Sequence, residues 1–111
     1  MYIEQREIII HIGIIGLQGR LDANAAPALK EIWEEYASRG MHSLLVDLHR
    51  VEFIDSIGIS TLVNGMKQLR SRGGDLKLIG IQPSVRSIFE LMTLDKVFTI
   101  YESEEEALRG L

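Results

Sequence analysis

The chain offers few side chains that could do chemistry. Its three histidines, His11, His42 and His49, show no i, i+3 or i, i+4 pairing. No carboxylate completes a ligand set around them, so no metal site is expected. There is no cysteine, which excludes a thiol nucleophile, a Cys-based zinc site and a disulfide framework. Gly13, Gly16 and Gly19 recur at a spacing of three, which is neither G-x-G-x-x-G nor G-x-x-x-x-G-K-[ST], and no lysine follows. They read as glycines relieving a strand, and no nucleotide or other cofactor is implied. Ser56 stands in Ile54-Asp55-Ser56-Ile57-Gly58. A nucleophile elbow requires G-x-S-x-G, and here the first glycine is replaced by the β-branched Ile54. His49 cannot be assigned as its base. The chain is not expected to be an enzyme.

What Ser56 has is position. It falls where an apolar strand meets an amphipathic helix, at or next to the N-cap, where serine contributes about 1 kcal/mol. Two neighbours suggest more than a cap. Gly58 in the first helical turn costs roughly 1 kcal/mol relative to alanine, which makes sense if another backbone approaches closely. Ile57 is apolar at a helix start expected to face solvent, where capping alone does not require it. A helix N-terminus tolerates a phosphate. Phosphate on Ser56 would add roughly −1.5 to −2 charge beside Asp55 and near Glu52, changing local potential with little change in fold.

The elements that must position this serine alternate along the chain. Ile3 to Leu17 is isoleucine-rich without helical period and reads as an edge strand and a longer strand, with a break near Arg6-Glu7; His11 is expected on a solvent-facing strand position. Asp22 or Asn24 can cap the next helix, with Pro27 in its first turn. Its apolar face is Leu29, Ile32, Trp33, Tyr36 and Ala37, and Gly40 stops it. Ser43 to Leu48 reads as a buried strand, followed by a turn at His49-Arg50 and then VEFIDSIG. The second helix buries Ile59, Leu62, Val63, Met66 and Leu69 and ends at Gly73-Gly74. DLKLIG is a strand, and Gln82-Pro83-Ser84 opens a third helix carrying Val85, Ile88, Phe89 and Met92. Val97 to Tyr101 reads as the last strand, and Ser103 begins a short helix whose Glu104 to Glu106 complement the dipole. The order β-β-α-β-α-β-α-β-α implies one α/β domain over residues 1–111, with a mixed, mostly parallel sheet of four to five strands and about four helices.

Composition agrees with a small binding domain. The 111 residues carry 16 acidic against 12 basic side chains, a formal charge of −4, and are 46% apolar. The sequence pI is about 5.3 and the mean hydropathy +0.09. A chain of this length can bury roughly two thirds of its unfolded surface without a staple. An acidic chain with scattered lysine and arginine argues against nucleic acid. The polar start MYIEQRE shows no secretory signal, and the ten-residue apolar stretch from Ile8 to Leu17 is too short to span a bilayer. A soluble cytoplasmic domain is expected, with no membrane insertion.

Three segments together carry a family likeness: GRLDANAAPALKE, LLVDLHRVEFIDSIGISTLV and GGDLKLIGIQPSVRSIFELMTLDKVFTIYES. They resemble the STAS domain of bacterial anti-sigma factor antagonists over nearly the whole chain, most specifically in D-S-x-G, supported by G-x-L-D and G-G-x-L-x-L. The resemblance implies a partner-switching regulator. The unphosphorylated form binds an anti-sigma factor that is also a serine kinase and so frees the sigma factor. Phosphorylation at Ser56 inactivates it, and a serine phosphatase restores it. By the same likeness Asp55 places the hydroxyl and contacts the kinase. Asp22, and more weakly Asn24, would join the binding surface with Ile57 and Gly58. Many family members carry a second hydroxyl residue where this chain has Ile57, so the partner-facing edge is more apolar here. Two alternatives share the residues or the fold: a STAS accessory subunit of a membrane transporter of lipid-transport type, and a phospho-switch in a pathway without a sigma factor.

Overall fold

A computed structural model describes residues 1–8, 11–41 and 43–110; His42 lies outside them. The strands are β1 (Tyr2–Ile8), β2 (Ile12–Leu21), β3 (Ser43–Ile54), β4 (Asp75–Ile79) and β5 (Ile100–Tyr101). The helices are α1 (Ala26–Ser38), α2 (Ser56–Arg70), α3 (Pro83–Leu91) and α4 (Glu104–Arg109), with a single 3₁₀ turn at Leu94–Lys96. The five strands form one sheet in the order β1-β2-β3-β4-β5. Only β1–β2 is antiparallel; β2–β3, β3–β4 and β4–β5 are parallel. The expected mixed, mostly parallel α/β sheet is present.

The two faces of the sheet are covered unequally. The larger core joins strand residues such as Ile15, Leu44, Val46, Leu76 and Leu78 to Leu29, Trp33 and Tyr36 of α1, Leu62 and Leu69 of α2, and Phe89 of α3. Among the described residues, the opposite face buries Ile12, Ile14, Leu45 and Ile79 against Ala107 of α4. All five apolar positions assigned to the α1 face are buried. In α2, Ile59, Leu62, Met66 and Leu69 are buried, and Val63 packs at the edge of the core.

Four features differ from the sequence expectation, each for a local reason. No break occurs at Arg6-Glu7: β1 stays paired with β2 from Tyr2↔Gln18 to Ile8↔Ile12. Arg6 instead pairs with Glu104 of α4, while Glu7 takes the Arg39 guanidinium at the end of α1. These contacts let two charged residues stay in a strand. Arg39 also holds the Glu7 carboxyl below the usual carboxylate range. His11 is a turn residue with φ +60 rather than a strand residue, and its N–H bonds to Ile8 O at 3.0 Å. No turn occurs at His49-Arg50, where β3 continues with a shift of register between Asp47 and Arg50. There Asp47 Oδ1 accepts the His49 N–H at 3.0 Å, and His49 O accepts from Gln82 Nε2 at 2.7 Å, so the bulge satisfies its own backbone groups. Finally, β5 is only Ile100–Tyr101. Val97 closes the 3₁₀ turn onto Leu94 O, and Phe98 turns into the core against Phe89, ring centroids 5.8 Å apart.

One contact between α1 and α2 sets how closely they lie. Trp33 is fully buried and donates from Nε1 to Thr61 O at 3.0 Å. A Cβ on Gly65 would stand 2.8 Å from that nitrogen and 2.9 Å from Leu76 Cδ1. Gly65→Val is therefore expected to lower stability by about 2 kcal/mol, as overpacking does. Urea denaturation followed by Trp33 fluorescence checks this, and an unchanged midpoint would show that the indole can yield.

Candidate functional site

The site is built where β2 and β3 end side by side. Their last pairs are Arg20↔Phe53 and Leu21↔Ile54. One step on, the Asp55 N–H donates to Leu21 O at 3.2 Å, which brings the G-x-L-D and D-S-x-G segments together. Asp55 then caps α2: its backbone is extended, at φ −109 and ψ −177, and its Oδ1 accepts the Gly58 N–H at 2.8 Å. Its C=O accepts from Ile59 N at 2.9 Å. The cap expected of Ser56 or its neighbour thus belongs to Asp55, and Ser56 is the first helical residue.

That assignment leaves Ser56 free. It is exposed, and among the described residues no hydrogen bond engages its hydroxyl. Ile57 beside it is 45% exposed, as expected of an apolar residue turned outward. Its carbonyl accepts from Ser60 Oγ at 3.0 Å and from Thr61 Oγ1 at 2.7 Å, which ties the first turn together.

Gly58 has the close backbone neighbour that its helix cost implied. A Cβ there would lie 2.2 Å from Leu21 O and 2.9 Å from Leu21 C. Neither atom can withdraw, because the same carbonyl holds Asp55. Only glycine lets α2 begin this near the end of β2.

Asp22 and Asn24 lie on the β2–α1 loop, but neither caps α1. The N-cap is Ala25, with no side-chain cap. Asp22 Oδ1 instead accepts the Asn24 N–H at 3.0 Å, and Asp22 O accepts from Ala25 N at 3.1 Å. Asp22 therefore shapes the loop beside the serine. Its carboxylate is partly buried, Asn24 is exposed, and Pro27 stands in the first turn of α1.

Two functional candidates escaped the sequence reading. Arg20 lays its guanidinium 3.8 Å above the Phe53 ring, and its Nε lies 3.8 Å from Asp22 Oδ2. Phe53 is 37% exposed. These two residues join the β2–α1 loop to the strand leading into Ser56, and a signal for them exists only once the strand register is known. The site thus carries Asp22 and Asp55, with the Arg20 guanidinium 3.8 Å from the former. Among the described residues no three His, Asp or Glu side chains converge as a metal-ligand set, and no helix is long and apolar enough to cross a membrane.

Together, the mixed sheet, the β2–α1 loop and the head of α2 define a small α/β domain with a serine exposed at the start of its second helix. A family model, the STAS domain, matches residues 4–107, and the chain belongs to that family. A Listeria monocytogenes anti-sigma-B factor antagonist is 34% identical over 96 residues, covering 86% of this chain and 83% of its own. Among solved structures, a Thermotoga maritima protein superposes with a TM-score of 0.90 at 25% identity, over 97% of this chain and 92% of its own. The Bacillus protein SpoIIAA in its phosphorylated form shares the fold with a TM-score of 0.79 at 22% identity, covering 97% of each chain.

Substitutions at two positions separate the constraints at this junction. Asp55→Ala, which removes the acceptor for the Gly58 N–H, should cost about 1 kcal/mol of stability, while Asp55→Asn should keep most of it. Gly58→Ala should be worse than Asp55→Ala, at about 2–3 kcal/mol, because it drives a Cβ into a carbonyl that cannot move. Denaturant midpoints for the three variants measure the order, and a Gly58→Ala protein as stable as the parent would refute the close approach.

Proposed function

We propose that this chain is an anti-sigma factor antagonist that switches partners through phosphorylation of Ser56. The observation that carries the reading is the division of labour at the head of α2. Asp55 takes the capping role, and Ser56 next to it is exposed with a hydroxyl that no described residue engages. A serine needed for structure would not be left this way. Relatives named as anti-sigma factor antagonists supply the kind of partner.

In this reading the unphosphorylated chain presents Asp22, Asn24, Ile57 and the Ser56 hydroxyl as one surface to an anti-sigma factor, which also acts as a serine kinase. The Ser56 oxygen attacks the γ-phosphorus of ATP in the kinase, the bond to ADP breaks, and the hydroxyl proton passes to a kinase base. The product takes the chain from a formal charge of −4 to roughly −6. The new charge sits beside Asp55 and Glu52, so an acidic or apolar partner surface is repelled while the helix stays capped. A serine phosphatase reverses the step. The chain acts as the substrate and ligand of other proteins, and its own residues perform no catalysis.

An anti-sigma factor kinase that binds this chain, incubated with it and ATP, is expected to add one phosphate, read by intact-protein mass spectrometry. Ser56→Ala should accept none and still bind the anti-sigma factor. Ser56→Asp should bind at least ~10-fold more weakly, which corresponds to about 1.4 kcal/mol. Phosphate on the alanine variant, or unchanged affinity for the aspartate variant, would refute the switch at Ser56.

A further inference from the structure

Arg20, a cation on the strand end beside the candidate phosphoacceptor, is poorly held. It is 62% exposed along its side chain, and its approach to Asp22 is a long 3.8 Å. Among the described residues no hydrogen bond engages its guanidinium. Its remaining contact is the face of Phe53 at 3.8 Å. An exposed cation–π contact of this kind is weak and leaves the guanidinium N–H fork undirected. By contrast, Arg50 on the same strand as Phe53 donates from Nε to His49 Nε2 at 3.3 Å, and Arg39 is forked onto Glu7 at 2.5 and 3.2 Å.

The backbone brings Arg20 within reach of Ser56. Arg20 precedes Leu21, whose carbonyl holds the Asp55 N–H at 3.2 Å, and Ser56 follows Asp55. The two Cα atoms are separated by two chain steps of ~3.8 Å and one interstrand hydrogen bond. An arginine side chain and a phosphoserine side chain together span a gap of that size. The fork geometry of guanidinium matches a phosphate dianion and favours it over a single carboxylate oxygen.

We propose that Arg20 is the positioning residue for the phosphorylated state. Once Ser56 carries phosphate, the guanidinium leaves the Phe53 ring and Asp22 and forks onto the phosphate oxygens. Phe53 is the parking place of the unmodified form. Asp22 and Asp55 beside Ser56, with Glu52 four residues before it in the chain, disfavour the dianion, and Arg20 offsets them. This inference rests on Ser56 as phosphoacceptor, but its test does not need the kinase.

Phosphoserine is placed at position 56 by codon expansion, and the second ionisation of the phosphate is followed by ³¹P NMR against pH. The parent should titrate below Arg20→Gln by ~0.5 unit or more, since a nearby opposite charge favours the dianion. Arg20→Lys should fall between them, because it keeps the charge without the fork. Arg50→Gln removes the same charge from elsewhere on the sheet and should titrate with the parent. The Arg20 Nε–H resonance should move downfield on phosphorylation as it exchanges the ring face for a phosphate oxygen. Equal titration of parent and Arg20→Gln, an equal shift from Arg50→Gln, or an unmoved Nε–H would overturn the proposal. A kinase that fails to modify Ser56 would instead count against the acceptor assignment and leave this measurement intact.

Discussion

The carbonyl of Leu21 is the point on which the site depends. It ends the β2–β3 ladder by accepting the Asp55 N–H, and it also forms the wall against which Gly58 of α2 is placed. One oxygen therefore fixes both the strand end and the angle at which the next helix leaves it. Because Asp55 is pinned through its N–H, its carboxylate is in position to accept the Gly58 N–H at 2.8 Å. Because Gly58 has no Cβ, the first turn of α2 can lie against β2 at all. Ser56 and Ile57, between these fixed residues, are held outward by the backbone on both sides. The exposure of the serine follows from the packing of its neighbours.

The charge around this point is balanced by few partners. Asp22 and Asp55 each have one oxygen committed to a backbone N–H, and each has a second oxygen for solvent or a partner. Arg20 answers them from a distance, stacked on Phe53. Such an exposed stack contributes ~0.5–1 kcal/mol, little enough that the proposed dianion would compete with it for the guanidinium. The local electrostatics are thus easily altered, whereas the backbone beneath is tightly constrained. That combination suits a surface that must change what it binds without refolding.

Sequence periodicity revealed the packing framework because burial acts on every turn. Leu29, Ile32, Trp33, Tyr36 and Ala37 declare a helix face by spacing alone, and the alternation of single helices with strands implies the parallel crossovers. Gly58 was legible as a conflict, since glycine in a first helical turn costs stability unless space demands it. Features set by one side chain bonding to one backbone group stayed hidden. The bulge at Asp47–His49, the Asp22 turn that leaves Ala25 as N-cap and the turn at His11 are of this kind. Their residues also suit a loop end, a helix cap and a strand. The Arg20–Phe53 contact was hidden for another reason. It joins residues 33 apart that meet only through the register Arg20↔Phe53, and two register shifts precede or border that pair.

The same division bears on the proposed modification at Ser56, which would act on partners and spare the fold. A phosphate on an N-cap serine would replace the hydroxyl acceptor of the first turn and so bear on helix stability directly. Here the cap is Asp55, one residue earlier, so the modified oxygen carries none of the hydrogen bonds that hold α2 to the sheet. The added charge enters solvent beside Ile57, an apolar side chain left 45% exposed. A partner that buries Ile57 must bring its own surface over the Ser56 oxygen, and a dianion there must then lose water to let the contact form. The cost of that desolvation falls on the complex and is absent from the free domain. In the proposed switch, apolar exposure at residue 57 and a free hydroxyl at residue 56 therefore work together: the first supplies the reason to bind, and the second the means to prevent it.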